Sequence, residues 1–234
     1  MVCIIDMLLH VMGRRDEPGG VSVRQDRRKA RTRNVILEAA ERLFLDRGYQ
    51  AATLDQVAEV ADVAVRSIYV HFGDKAGLYA ALVDRALELD RRYCDAGWEA
   101  GDGPVGRLLG LADGYLRFYR DHPGLFRIFR FPPADVAGAA GLEPTARRVA
   151  ERIKSEVGRM AGALREAIDA GLVRPVPAEA AATFLWAAWD GVIACHLLPD
   201  HMGLSDADFE AVLGQAREVL AAGLLAGQHE GDAS

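Results

Sequence analysis

The chain has 234 residues, half of them apolar and 26% charged, with a formal net charge of −6. That length accommodates one large or two small domains with a substantial core, and the acidic total excludes a protein that coats nucleic acid with its whole surface. The charge is uneven, however. Residues 22–80 carry ten Lys/Arg against eight Asp/Glu, a net of +2, whereas residues 81–234 carry sixteen against twenty-three, a net of −7. The positive charge is densest at Arg24, Arg27, Arg28, Lys29, Arg31 and Arg33, broken only by Asp26. A front end meeting an anionic partner and a larger body that does not is the organisation this implies. Cys3, Cys94 and Cys195 lie far apart with no CxxC spacing, which suits a reduced cytoplasmic protein better than a disulfide scaffold or a zinc site. The apolar start is interrupted by Asp6, is too short for a membrane span and lacks the charge order of a signal peptide. Residues 1–23 are expected to be a flexible leader.

After residue 30 nearly every segment has helical periodicity, so the expected fold class is all-α. A first helix places Val35, Ile36, Ala39, Ala40, Leu43 and Phe44 on one face and stops at Gly48. Thr53-Leu54-Asp55-Gln56 has capping-box spacing, and Leu54, Val57, Ala58 and Ala61 give the next short helix its apolar face. A tight break at Asp62-Val63-Ala64 precedes a second short helix with Ile68 and Phe72 inward. Asp74 caps a long helix bearing Leu78, Leu82, Ala86 and Leu89. The Gly- and Asp-rich segment 96–104 reads as the domain boundary. Pro104 opens a helix carrying Val105, Leu108, Leu109, Ala112, Leu116 and Tyr119, followed by a short aromatic helix after His122-Pro123. A loop covers 131–141, a long helix runs from about Pro144 to Ala170, and two more span 177–198 and 205–225. The expected division is a leader (1–23), a smaller N-terminal domain with a basic arm (24–80), a larger helical domain (81–226), and a tail (227–234).

Two short helices joined by a tight turn cannot stand alone and must lean on the longer helices around them, the arrangement that presents a recognition helix to the major groove. The outward face of the second short helix then offers Val65, Arg66, Ser67 and Tyr69. Arg66 suits a guanine edge or a phosphate, Val65 a thymine methyl, and Tyr69 and His71 the backbone. Lys75, in the first turn of the long helix, adds charge to exposed backbone N–H groups facing a phosphate.

Residues 31–82 closely resemble the DNA-binding domain of the TetR family of transcriptional regulators. The resemblance is carried by Phe44, Gly48, Tyr49, Thr53, Val57, Ala58, Ala61, Val63, Tyr69, His71, Phe72, Lys75 and Leu78. It implies phosphate contacts from Tyr69 and Lys75, a capping and backbone-meeting role for Thr53, and an N-terminal arm bearing Arg31 and Arg33. Two positions depart from the family pattern: Asp62 stands where glycine is usual, and Ala64 where Ser or Thr is usual. Asp62 tolerates a left-handed backbone, whereas Ala64 cannot cap the recognition helix, at a cost of about 1 kcal/mol.

The resemblance extends to the body, where it implies effector binding and dimerisation. Tyr115, Phe118, Phe126, Phe129, Trp186 and Trp189 are the candidate wall of an apolar pocket, and core packing explains each of them as well. Helix 177–198 has so little polar face that it needs burial on more than one side, as in a two-fold dimer. Cys195-His196, adjacent in sequence, points to different helix faces. No HExxH, GxSxG, P-loop or dinucleotide fingerprint is present, so no catalytic set, metal site or cofactor is expected. The resulting reading is a cytoplasmic, non-membrane, homodimeric regulator on a palindromic double-stranded operator, most simply a repressor released by a small, largely apolar effector. The alternative is a ligand-independent dimeric regulator whose body serves only dimerisation or a protein partner. An aromatic-lined cavity favours the first and a solid core the second.

Overall fold

The computed structural model describes residues 19–132, 136, 139–198 and 201–225. Expectations for residues 1–18 and for the tail from 227 lie outside them. The described residues form nine helices: α1 (Gly19–Arg47), α2 (Leu54–Val60), α3 (Val65–Phe72), α4 (Lys75–Ala100), α5 (Gly103–Asp121), α6 (Pro123–Arg130), α7 (Glu143–Asp169), α8 (Ala178–Leu197) and α9 (Asp206–Leu224). No strand occurs among them. A single bridge pairs Val173 with Leu225, where the Arg174 N–H donates to the Leu224 carbonyl at 2.9 Å and ties the end of α9 to the turn after α7.

The head is a cluster of α1, α2 and α3 against the start of α4. Ile36, Ala40, Leu43 and Phe44 of α1 are buried against Val57, Ala58, Ile68, Leu78 and Leu82. The rings of Phe44, Tyr49 and Tyr79 meet with centroids 5.3–5.8 Å apart, locking the α1 end to α4. Gly48, at φ +82, ends α1 in the left-handed conformation that a C-terminal glycine adopts without strain. Contrary to expectation, residues 19–33 are neither the end of a leader nor a loose arm: they are wound into α1, which is 29 residues long.

The segment 96–104 is mostly helix, and only Gly101-Asp102 separates α4 from α5. Gly97 and Gly101 of this segment serve close helix packing. A Cβ on Gly97 would fall 1.9 Å from the Gly110 carbonyl oxygen, and one on Gly101 2.3 Å from that of Gly106. The antiparallel α4–α5 pair therefore approaches backbone to backbone, which side chains of any size would forbid. Around it α6, α7 and α8 complete the body. Helix α8 is long and apolar enough, by length and composition, to cross a membrane, yet only 22% of its most apolar window is buried.

Candidate functional site

Helix α2 begins with the expected reciprocal cap: the Gln56 N–H donates to the Thr53 hydroxyl at 3.2 Å, and the Thr53 N–H donates to Gln56 Oε1 at 3.1 Å. The chain then turns through Asp62 at φ +52, the sole left-handed residue other than glycine among the described residues. The Val63 N–H closes the turn onto the Ala58 carbonyl at 3.0 Å. Ala64 opens α3 with no side-chain cap, as its methyl requires. The departures from the family pattern thus sit in a turn that forms nonetheless.

Only Ile68 of α3 is fully buried. Arg66 is exposed, as are Tyr69 (53%) and Val70 (69%). Ser67 is half-buried. Val65 departs from expectation: it is half-buried and packed against the core, so it is not an outward reading residue. Val70 takes that place, an exposed branched apolar side chain beside Tyr69. Its signal in the sequence was the 3.6-residue period itself, since Val70 lies four residues after Arg66 on the same face.

Neighbouring groups frame this helix. Lys75 Nζ donates to the Gln50 carbonyl at 3.0 Å and stands 4.7 Å over the Tyr49 ring, which fixes the ammonium at the α4 start. The Arg33 guanidinium lies 4.7 Å over the Phe72 ring, bringing α1 alongside α3. Partial burial, together with positive Lys29 and Arg33, holds the His71 imidazole below its ordinary pKa. Thr53 and Arg31 are exposed. Arg24, Arg27, Arg28 and Arg31 are all exposed and fall at helical spacings of three, four and seven, so α1 carries them as one basic stripe. The positive charge expected on an N-terminal arm is therefore presented by a helix.

The body contains a cavity of about 210 Å³, lined by α4, α5, α6, α7, α8 and α9. Of the six aromatics expected at its wall, Tyr115, Phe129, Trp186 and Trp189 line it. Phe118 and Phe126 do not: both are fully buried, packed on each other at 5.6 Å between centroids, and belong to the solid core. Sequence reasoning missed the wall's charged part. Asp190 accepts from Tyr115 Oη at 2.6 Å and from the Arg130 guanidinium, which also lies 4.6 Å over the Trp186 ring. Arg152 Nε donates to Asp90 at 2.8 Å, and its Nη1 donates to Glu156. Burial raises the Asp90 carboxyl pKa, with Arg152 opposing, and pushes the Cys94 thiol well up so that it stays protonated. His196 is not part of this wall; its Nδ1 pairs with Tyr119 Oη at 2.6 Å, and its ring stacks on Phe209.

A helix-turn-helix with exposed Arg and Tyr, mounted on a helical body that holds a cavity, defines a two-part helical protein of the regulator type. Residues 36–82 match the family described as bacterial regulatory proteins, tetR family, and residues 108–220 match the tetracyclin repressor-like C-terminal domain. The chain belongs to the TetR family. The HTH-type transcriptional regulator TtgR of Pseudomonas putida is 48% identical over 67 residues, covering 28% of this chain and 32% of that protein. The chain spans about a third or less of the length of the first curated relatives it matches. Among solved structures, NalD, the secondary repressor of the MexAB-OprM multidrug efflux pump in Pseudomonas aeruginosa, shares the fold at a TM-score of 0.63 and 21% identity, over 86% of this chain and 98% of that one. AibR, solved in complex with isovaleryl coenzyme A and operator DNA, shares it at 0.61 and 22%, over 79% and 97%.

Proposed function

We propose that the protein is a DNA-binding transcriptional regulator that acts in the cytoplasm as a two-fold dimer on a palindromic operator, and that it represses until a small, largely apolar effector releases it. The observation that carries the reading is the exposed face of α3. Arg66, Tyr69 and Val70 project from a helix braced by α1, α2 and α4, with Thr53 and Lys75 beside it and the basic stripe of α1 alongside. Arg66 reads a guanine edge, Val70 meets a thymine methyl, and Tyr69, Thr53, Lys75 and the α1 arginines hold phosphates.

Dimerisation is supported by apolar surface that one copy leaves open. On α8, Ala180, Phe184, Ala187 and Gly191 are exposed along one face, and on α9, Val212 and Val219 are exposed seven residues apart. A second copy packing these two helices against their equivalents forms a four-helix contact and sets the recognition helices about 34–36 Å apart. The effector reading is supported by the cavity and by α4. That one helix carries Lys75 at its head end and Asp90 and Cys94 on the cavity wall. A ligand that favours one tilt of α4 changes the spacing of the two heads, provided it binds the non-DNA-binding state more tightly.

Fluorescence anisotropy on labelled duplexes tests the contact assignments. Arg66→Ala should weaken specific binding by about tenfold or more and relax discrimination at one position. Replacing Arg24, Arg27, Arg28 and Arg31 with Ala should weaken binding to all sequences and flatten the salt dependence by about 0.9 for each phosphate that is no longer neutralised. Equal affinity and an unchanged salt slope in both variants would overturn the reading.

A further inference from the structure

The cavity wall states what kind of ligand it takes. Its lining includes three acids, Asp90, Asp113 and Glu156, and three arginines, Arg130, Arg152 and Arg217. Each acid is already held: Asp90 and Glu156 by Arg152, and Asp113 by Arg217 at 2.9 Å. Asp190, behind Arg130, is likewise taken by that guanidinium and by Tyr115. The formal charge of the lining sums to zero and its carboxylates have partners. What remains is a pair of donors. Arg152 Nη2 and Trp189 Nε1 are buried, and no protein atom among the described residues accepts from either. Arginine and indole N–H groups are donors only, so neither can be satisfied by rearranging its own proton. A buried donor left without an acceptor is costly, and an acceptor supplied by the ligand removes that cost at the moment of binding.

Resting on the reading of this cavity as the effector site, we infer that its ligand is a neutral, largely apolar molecule bearing a hydrogen-bond acceptor such as a carbonyl, received by Arg152 and the Trp189 indole. The alternatives meet the wall less well. A carboxylate brings unbalanced negative charge to an arginine already neutralised by Asp90 and Glu156. An ammonium is itself only a donor and leaves both N–H groups unmet. A plain hydrocarbon fills the apolar space but leaves the same two donors without acceptors. The cavity, of about 210 Å³, suits a compact ligand.

Calorimetric titration of the full chain with four chain-matched probes tests this: 2-nonanone, nonane, nonanoate and octyltrimethylammonium. The ketone should bind about tenfold more tightly than any of the others. Trp189→Phe keeps an aromatic ring and removes the donor, and is cleaner than an Arg152 variant because Arg152 also holds Asp90 and Glu156. It should cut the ketone's advantage over nonane about fivefold. Nonane, nonanoate or the ammonium binding as tightly as the ketone, or no binding by any probe, would overturn the inference. Ketone-selective binding that leaves DNA affinity unchanged would uphold the ligand chemistry and defeat the effector reading instead.

Discussion

The head and the body bury different kinds of residue. Every buried side chain of α1, α2 and α3 is apolar, whereas Asp90, Thr145, Glu156 and Asp190, the buried polar and charged residues among those described, all lie in the body. Three of those four are carboxylates held by arginines around the cavity or just behind its wall. An apolar core is the less costly way to stabilise a fold, because paired charges recover little more than their desolvation. The head is thus built as a rigid support whose polar groups face outward, and the body accepts a costly interior that comes with a shaped, donor-lined space.

The contrast can be broken by removing one polar group from each region. Asp190→Ala deprives both Arg130 and Tyr115 of their acceptor and should cost about 3–5 kcal/mol in urea unfolding. Thr53→Ala removes half of the α2 capping box and should cost only about 1 kcal/mol. Similar losses for the two variants would show that the body's ion pairs are no more structural than a surface cap. Ala64→Ser sharpens the account of the head in the opposite direction. A hydroxyl at the uncapped start of α3 should stabilise by up to about 1 kcal/mol, seen as a raised unfolding midpoint at unchanged slope.

The smallest expected effect is one of pH. The His71 pKa is lowered by burial and by Lys29 and Arg33, so the neutral ring is favoured in the folded head. Its stabilising contribution is therefore present above the ordinary value of 6.5 and is lost as pH falls through that value toward the folded one. A DNA phosphate reverses the preference, because it favours the imidazolium. DNA affinity should accordingly rise a few-fold between about pH 7.5 and about pH 6, and His71→Phe should flatten that rise in anisotropy titrations.

How much of this was legible in the sequence follows the same division. In the head the signals are local: the Thr53–Gln56 cap spans three residues, Gly48 marks a helix end, and the Ile68–Phe72 spacing fixes the inward side of α3. Asp62 was legible as a left-handed turn residue because its short polar side chain tolerates that conformation. Val65 was misplaced because it packs partly against the core, a contact that periodicity alone does not show. The basic run was read as an arm from the resemblance, and the helical spacing of Arg24, Arg27, Arg28 and Arg31 was legible beside it. In the body the decisive contacts join residues far apart in the chain. Asp90 meets Arg152 and Tyr115 meets Asp190, and nothing in a one-dimensional pattern pairs them. Gly97 and Gly101 misled for a related reason: a glycine-rich stretch looks like a boundary until the opposing helix reveals that its backbone must pass within contact distance. Composition identifies aromatic residues as pocket candidates but does not separate Phe118 and Phe126, packed in the core, from Tyr115 and Trp186 on the wall.

Selection of bound sequences from random double-stranded DNA by the purified protein at moderate salt tests the central claim most directly. The account predicts enrichment of a palindromic site whose half-sites lie about one helical turn apart or a multiple of it, and loss of that enrichment when Arg66 and Tyr69 are both replaced by Ala. Failure to enrich any palindromic sequence, or enrichment that survives the double replacement, would contradict it.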